Sequence, residues 1–400
     1  MTLWGGRFNQ SPAQSMRDLS RSVHFDWRLA PYEIEVNLVH LNNLIKQKIV
    51  TKSDGEILQK GLLDLAGEIG SGKFTYNHDD EDVHSAIERG LVEKCGPLGG
   101  AIRAGRSRND LVITDFKLYL VDHLLEIASA VTSLARSFNT QATNQIDVIA
   151  PGFTHTQHAQ PITFGQELSK HSHALLRDVD RIFDWIDRNN YSPFGAGALA
   201  GSSIQPEPEG IAAKLGFSGV MENSIDAVSD RDFAAEALFI MAMIGIHLSK
   251  IGEEFVLWSS TEFDWVEIDD AYATGSSIMP QKKNADVAEL ARGKSGRFIG
   301  NLTALLVVLK AMPFAYNRDL QEDKEPIFDS VDQLLILLPA ISGMVQTAKF
   351  KQANISKGAS AGYSLSTEIA DFLSKTGVPF SVAHEVAGEC VKFCEKNGIE

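Results

Sequence analysis

The feature that most constrains the fold of this chain is a set of five long stretches whose apolar residues recur every three or four positions. They lie within residues 112–138, 168–186, 233–258, 290–309 and 331–341. This spacing places the apolar side chains on one face of a helix, and none of the stretches alternates as a strand would. Because long helices with such faces pack side by side at small crossing angles, the sequence predicts an all-α protein with a central long-helix bundle.

The third of these stretches is apolar over more than one face. Leu238, Phe239, Ile240 and Met241 follow one another without a polar residue. The bundle of one chain would hardly cover so wide an apolar surface, and large uncovered apolar surfaces favour association. The sequence therefore predicts an oligomer.

Turn-rich segments divide the chain into three predicted domains. A mainly helical N-terminal domain is predicted for residues 1–105, the long-helix bundle for 106–354 and a small helical C-terminal domain for 355–400. Connections marked by Gly and Pro join the bundle helices at residues 151–164, 192–208 and 274–284. Such loops often carry binding and catalytic groups, so we expect the functional residues there.

The overall charge narrows the partners that this chain could have. Its 400 residues carry 37 Lys and Arg against 52 Asp and Glu, a formal net charge of −15. Nucleic acids and anionic membranes attract proteins that have a surplus of positive charge, so neither is predicted as a partner.

Three further features predict a cytoplasmic protein. Residues 1–8 contain no apolar core long enough for a signal peptide. The apolar runs at residues 238–248 and 302–309 are about half as long as a bilayer crossing requires. The three cysteines, Cys95, Cys390 and Cys394, are too few for a disulfide framework, which fits a reducing compartment.

The most specific motif is Gly-Ser-Ser-Ile-Met-Pro-Gln-Lys-Lys-Asn at residues 275–284, directly before the fourth helical stretch. A flexible turn with Asn284 as the helix N-cap would explain it structurally. Alternatively, lysines and backbone N–H groups near the start of a helix can bind a carboxylate and make a serine hydroxyl acidic enough to serve as a base. From these residues alone, both interpretations stay open.

This loop resembles the signature loop of the fumarase and aspartase superfamily of fumarate-forming lyases, and residues 105–110 and 152–157 resemble two other regions of it. Residues 3–8, 106–110, 228–232 and 316–324 resemble the argininosuccinate lyase family within the superfamily. The resemblance implies three domains, a homotetramer with a central twenty-helix core, and active sites each shared between three subunits. It also implies the reversible cleavage of argininosuccinate into arginine and fumarate, the last step of arginine biosynthesis.

The resemblance assigns roles to individual residues. Ser276 would remove the proton from the succinyl carbon, Lys282 and Asn284 would stabilise the intermediate, and His155 would serve on the acid side, either directly or by orienting the acid. Thr154 and Glu289 would support His155. The implied substrate-binding residues are Ser22, Arg108, Asn109, Gln157, Arg231, Ser277, Tyr316, Gln321 and Lys324.

The sequence departs from the family pattern at two places. Ala285 stands where the family usually has proline, which suits the first position of a helix, so we expect a looser loop. The family also usually continues some fifty residues beyond position 400, so we expect a shortened C-terminal domain.

No metal or cofactor is predicted. Acidic residues at 79–82 lie beside His78 and His84, but consecutive residues point apart on a helix, and a solvated acidic turn is the simpler interpretation. His171 and His173 do not share a helix face, and no Gly-rich loop connects a strand to a helix as phosphate binding would need.

Two other interpretations are compatible with the signature loop. Another fumarate-forming lyase, such as an adenylosuccinate lyase, would use the same Ser276, Lys282 and Asn284. A catalytically inactive structural relative of the lens crystallin type would keep the fold alone.

Overall fold

The N-terminal region is built from short and medium helices. The computed structural model describes residues 11–205 and 207–399. The segment at residues 3–8, which carries part of the family resemblance, lies outside the described residues. The first helices are α1 (Gln14–Ser20), α2 (Val23–Asp26), α3 (Ala30–Lys46), α4 (Lys52–Gly70) and α5 (Val83–Cys95), with 3-10 helices at Trp27–Leu29 and Gly96–Arg103.

Five long helices follow, as the apolar pattern predicts. They are α6 (Arg108–Asn144), α7 (Phe164–Asn189), α10 (Asp232–Trp258), α11 (Asp286–Leu309) and α12 (Lys324–Thr347), with the short α8 (Glu209–Lys214) and α9 (Ser224–Ser229) between α7 and α10. Three more 3-10 helices lie at Asp270–Tyr272, Arg318–Asp323 and Ala361–Tyr363. The chain continues with α13 (Gln352–Lys357), α14 (Ser366–Lys375) and α15 (Phe380–Asn397). The all-α fold class is confirmed.

In the part of the chain that the structure describes, four small two-stranded sheets occur in the connections. Antiparallel pairs form between β1 (Ile149–Thr154) and β2 (Gln157–Thr163), between β5 (Val266–Glu267) and β8 (Lys349–Phe350), and between β6 (Thr274–Gly275) and β7 (Lys283–Asn284); β3 (Tyr191–Ser192) pairs in parallel with β4 (Gly219–Val220). The β1–β2 hairpin occupies residues 151–163 of a segment that the sequence predicts to be an irregular loop. Two of the paired positions are prolines, Pro151 opposite Pro161, next to a bulge, which is why no strand pattern is visible there.

Unit 1, the first of two compact units, comprises Met1–Leu125, Phe183–Leu238 and Asn301–Asp329. Phe116 lies at its centre, edge-on to both Phe233 and Phe328 with ring centroids 5.7 and 5.9 Å away. The indole of Trp185 is buried and donates a hydrogen bond of 2.8 Å to the carbonyl of Phe233. These contacts fix the start of α10 within unit 1.

Unit 2 comprises Glu126–Ile182, Phe239–Gly300 and Ser330–Glu400. Its core contains an aromatic cluster in which Phe164 contacts Trp258, Trp265 and Phe350 at centroid distances of 5.0 to 6.0 Å. Gly252 on α10 lies against the backbone of α11, where the Cβ of any other residue would collide with the carbonyl of Ala288. In α14 and α15 the buried contacts are small, made by Ala370, Ala383 and Ala387.

The predicted helix faces are largely buried, but two details differ from expectation. Leu238, Ile240 and Met241 are covered within the chain itself, and only Phe239 of the wide apolar arc remains half exposed. Leu290, predicted to lie on the buried face of α11, is 55% exposed. Ala288 and Ala291 occupy the buried positions instead, because close packing against Gly252 favours small side chains there.

Among the described residues, three helical segments are long and apolar enough to cross a membrane by length and composition alone: Arg108–Asn144, Asp232–Trp258 and Arg318–Thr347. The expectation from run length concerned residues 238–248 and 302–309, and only the first of these runs lies within one of the three segments. That expectation counted only uninterrupted apolar residues, whereas the mean hydropathy of a longer window tolerates polar ones. In the folded chain 44%, 67% and 50% of the respective apolar windows are buried inside the protein.

Candidate active site

The signature loop is a solvent-exposed turn whose serine accepts backbone hydrogen bonds. The Oγ of Ser276 accepts from the N–H groups of Ile278 and Met279 at 3.3 and 3.1 Å. Ser277 and Lys282 are exposed, and the side chain of Ile278 is 83% exposed. Two donors aimed at one hydroxyl oxygen would stabilise its deprotonated form.

The base of this loop is held closed by side chains. Lys283 forms an ion pair of 2.6 Å with Asp270, and Thr274 donates a hydrogen bond to Asp286. The amide nitrogen of Asn284 lies 3.4 Å from the hydroxyl of Thr274. Asn284 belongs to β7 and is not the helix N-cap, because pairing with Thr274 places it one residue too early.

Ala285, at the position where the family has proline, is almost buried directly before α11 begins at Asp286. Its carbonyl already accepts from the N–H of Glu289 at 3.0 Å, so the helix starts normally without the proline.

His155 lies at the tip of the β1–β2 hairpin. The two turn residues, His155 and Thr156, have positive φ angles of 54° and 58° and connect the paired residues Thr154 and Gln157. Positive φ at both positions is typical of a type I′ turn, in which Asn and Gly are preferred and a β-branched residue such as threonine is unusual. All four side chains are exposed, so the hairpin presents Thr154, His155 and Gln157 to solvent.

Glu289 lies in the first turn of α11, on an exposed groove of about 480 Å³. Asp286, Leu290, Lys294 and Arg297 line the same groove. Among the described residues, no hydrogen bond or ion pair joins His155 to Glu289 or to the signature loop.

In unit 1, two of the predicted substrate-binding residues line a second, larger cleft of about 610 Å³ at the start of α6. Arg108 and Asn109 line it together with His84 and the Gly-rich segment around Gly197. The side chain of Asn109 donates to the carbonyl of Ala198 at 3.2 Å. This contact joins the start of α6 to the Gly-rich segment.

Asp110 fixes the shape of this cleft from below. Its fully buried carboxylate accepts from the backbone N–H groups of Ser107, Gly195 and Gly197 at 2.9 to 3.0 Å. Burial outweighs these hydrogen bonds and raises the pKa of Asp110 to about 6.

Two buried carboxylates, Asp82 and Asp26, bond to the candidate residues Arg108 and Ser22. Arg108 forms an ion pair of 2.7 Å with Asp82, and the hydroxyl of Ser22 donates to Asp26 at 2.6 Å. Burial, and next the charge of Asp82, raise the pKa of Asp26 to about 6. The backbone N–H of Ser22 donates to the carbonyl of Glu81 at 2.8 Å, which joins the residue before α2 to the residue before Asp82.

Arg231, Tyr316, Gln321 and Lys324 gather around Asp323. Arg231 and Lys324 both bond to the Asp323 carboxylate and are nearly inaccessible to solvent. The amide of Gln321 donates to the hydroxyl of Tyr316 at 3.3 Å. Burial, and next the charge of Asp323, raise the pKa of Tyr316.

The acidic turn at residues 79–82 is only partly solvated. Asp79 is exposed as expected, but Asp80 is buried against Arg89 at 2.9 Å, and Asp82 caps α5 by accepting from the N–H of Ser85. The expectation of a solvated acidic turn is therefore wrong for Asp80 and Asp82, since these two carboxylates have internal partners.

One cluster of metal-ligand type was not expected from the sequence. The ligand atoms of Glu33, His84 and Asp115 lie within 4.8 Å of one another in the buried interior of unit 1. A guanidinium nitrogen of Arg106 lies 3.6 Å from Glu33, and His84 lies 2.8 Å from it. These two bases already supply positive charge to Glu33, so we interpret the cluster as a buried ion network.

The structure thus divides the predicted residues into two groups. Unit 2 holds Thr154, His155, Gln157, Ser276, Ser277, Lys282, Asn284 and Glu289, and unit 1 holds Ser22, Arg108, Asn109, Arg231, Tyr316, Gln321 and Lys324. Three carboxylates that organise the unit 1 group, Asp26, Asp110 and Asp323, were not predicted from the sequence as functional residues. Asp110 and Asp323 stand inside motifs that carry the resemblance, which was the available signal.

Comparison with known proteins gives matches over most of the chain. A family described as Lyase matches residues 6–300, and one described as Argininosuccinate lyase C-terminal matches residues 363–400. The chain is 52% identical to argininosuccinate lyase from Frankia casuarinae over 400 residues, covering 100% of this chain and 86% of that protein.

Solved structures show the same fold. The crystal structure of EDDS lyase in complex with formate is 30% identical and superposes with a TM-score of 0.83, covering 96% of this chain and 75% of that one. A fumarate lyase:delta crystallin from Brucella melitensis, 18% identical, superposes with a TM-score of 0.80 over 98% of this chain and 88% of its own. Both the full-length identity and the family matches lead to one conclusion: the chain belongs to the argininosuccinate lyase family of the fumarase and aspartase superfamily and is a carbon–nitrogen lyase.

Proposed function

We propose that the chain cleaves argininosuccinate by β-elimination, with Ser276 as the base. Ser276, as an alkoxide, takes a proton from the succinyl carbon beside a carboxylate. The electron pair left on that carbon is delocalised into the carboxylate, which becomes a doubly charged enolate. The pair then forms the carbon–carbon double bond of fumarate while the bond to the guanidine nitrogen breaks, and that nitrogen gains a proton to give arginine.

The observation that carries this proposal is the pair of backbone N–H groups that donate to the Ser276 oxygen. A serine hydroxyl is a weak base until its oxyanion is stabilised, and hydrogen bonds to the charged form provide that stabilisation. Lys282 and Asn284 on the same loop would place a cation and an amide beside the enolate.

His155 is proposed for the acid side of the reaction. An exposed histidine at a hairpin tip can approach a departing nitrogen and either protonate it or orient the group that does. Thr154 next to it and Glu289 on α11 would support it by hydrogen bonding and charge. The substrate carboxylates would be bound by the basic residues Arg108 and Lys324.

The homotetramer with sites shared between three subunits is part of the proposal. Support comes from apolar side chains that one chain leaves exposed on its long helices. Ile299, Leu306 and Val307 on α11 and Ile336 on α12 are 45% to 65% exposed. A second copy of the chain would cover such surfaces, as expected for subunits that bury a long-helix core. A cytoplasmic location, with arginine and fumarate as small-molecule products, completes the proposal.

The test is an absorbance assay for fumarate released by the purified full chain. Argininosuccinate is the substrate, and adenylosuccinate, offered at the same concentration, is the control. We expect fumarate from argininosuccinate alone. Release from adenylosuccinate would indicate a different lyase, and no release from either substrate by a folded oligomer would contradict the proposed activity.

A further inference from the structure

Three ionisable residues where α12 begins form a network that is closed to solvent. The side chains of Arg231 and Asp323 are fully buried, and that of Lys324 is 3% exposed. Arg231 Nε donates to one oxygen of the Asp323 carboxylate at 2.5 Å, and Lys324 Nζ donates to the other at 2.7 Å. A single carboxylate therefore holds two of the cations that the family resemblance assigns to the substrate.

Arg231 is committed to internal partners. One terminal nitrogen of its guanidinium donates to the carbonyl of Asp230 at 2.7 Å, and Nε is taken by Asp323. The second terminal nitrogen is buried and has no hydrogen-bond partner among the described residues. In this conformation the guanidinium has no exposed atom with which to contact a substrate.

Lys324 is differently placed, because its ammonium group is in reach of more than one element. It lies 5.9 Å from the centre of the Phe116 ring on α6, and it interacts electrostatically with Asp26 on α2. A lysine side chain has four rotatable bonds, so its position depends on what fixes its ammonium group. The shortest contact that does so is the one to Asp323.

We propose that Asp323 is a positioning residue that fixes the Lys324 ammonium group for the substrate, and that Arg231 acts through Asp323 and does not contact the substrate. The inference rests on the proposed function. The charge of Asp323 also acts on Tyr316, a third substrate-binding candidate, whose hydroxyl accepts from Gln321. The arrangement is that of a second layer of residues that orients the groups which bind ligand.

The variant that tests this inference is Asp323→Asn, which keeps the shape of the side chain and removes its charge. We expect KM for argininosuccinate to rise about tenfold or more, the size of one charge-assisted hydrogen bond, with a smaller change in kcat. The matched control is Glu236→Gln on α10, which breaks an ion pair on the surface with Arg188 on α7. The control should leave KM and kcat unchanged. A lower melting temperature for Asp323→Asn with unchanged KM would show a merely structural role and overturn the inference.

A double-mutant cycle tests the part that concerns Arg231. If Arg231 acts through Asp323, the double variant Arg231→Gln/Asp323→Asn has a KM no higher than that of the worse single variant. Effects that multiply would show that Arg231 acts independently and would overturn this part.

A third variant keeps the inference testable if Asp323→Asn does not fold. Arg231→Lys retains the positive charge but lacks the Nε–H donor, so KM should again rise, and an unchanged KM would overturn the inference. Wild-type activity separates the two levels: a wild-type chain that releases no fumarate defeats the proposed function itself, whereas an active wild type with insensitive variants defeats only the positioning role.

Discussion

The two compact units hold their candidate site residues in opposite ways. In unit 1, Ser22, Arg231 and Lys324 are buried, and each bonds to a buried carboxylate. In unit 2, His155 and Lys282 are exposed, and neither side chain has an ion-pair or hydrogen-bond partner among the described residues. Most residues proposed to bind the substrate lie in unit 1 and are fixed by the folding of one chain, whereas Ser276, His155 and Lys282, proposed to carry the chemistry, are presented on loops.

This difference has a physical consequence for catalysis. Charges that stabilise an enolate act strongly only where water is excluded, and a loop open to solvent does not provide that environment. The groups of unit 2 therefore need a further surface to cover them. In the proposed tetramer, other subunits supply that surface. The unit 1 of another subunit would also contribute its substrate-binding residues to the site.

The largest effect should come from the exposed loop. Ser276→Ala removes the proposed base, and we expect kcat to fall by about a thousandfold or more with the fold intact, since the hydroxyl has only local partners. Fumarate release measures the loss of kcat, and the melting temperature shows whether the fold is intact. Ser260→Ala, which removes a comparable local hydroxyl in unit 2, is the control. A variant that kept most of its activity would remove Ser276 from the mechanism.

A smaller loss is expected at the hairpin tip. His155→Asn should lower kcat by about a hundredfold, the usual contribution of one general acid or of the residue that orients it. His158→Asn on β2 changes a second exposed histidine of the same hairpin and should have little effect. Equal losses in both variants would indicate that the hairpin matters as a structure and not through His155.

The buried carboxylate of Asp110 in unit 1 can be probed through the pH dependence of the free energy of unfolding. The folded-state pKa of Asp110 is raised to about 6, above the usual 3.8, so the folded chain binds this proton more tightly than the unfolded chain. Stability attributable to Asp110 should therefore increase as pH falls from about 7 to about 4. Compared with Asp110→Asn, the wild type should gain roughly 2 to 3 kcal/mol in unfolding free energy over this range. Urea unfolding at several pH values measures the free energy of unfolding of both proteins. If it depended on pH in the same way for the wild type and for Asp110→Asn, the raised pKa would be contradicted.

The long helices could be predicted because their pattern is redundant. In α6, seven apolar residues at steps of three or four all become buried, so an error at one position would not have changed the interpretation. The β1–β2 hairpin offered no such repetition, since prolines and a bulge obscure its alternation. The N-cap interpretation of Asn284 fails for a related reason: Asn is a good N-cap residue, but pairing with Thr274 places it in β7.

The candidate site was predictable only in part. Motifs pointed to Ser276, His155 and Lys324 one at a time, yet they could not show which of these would be buried. The buried carboxylates of unit 1, Asp26, Asp82 and Asp323, lie up to about three hundred positions apart in sequence. Neither periodicity nor local spacing carries such information, because it depends on how the helices pack.

The most direct test of the account is complementation between two inactive variants. Ser276→Ala and Arg108→Gln, carrying different tags, are expressed together, and oligomers that contain both are purified and assayed for fumarate release. If each site combines residues of different subunits, random mixed tetramers contain intact sites and should recover up to about a quarter of the wild-type activity. If every site is built within one chain, each chain still carries a defect, and mixed oligomers as inactive as the single variants would contradict the account.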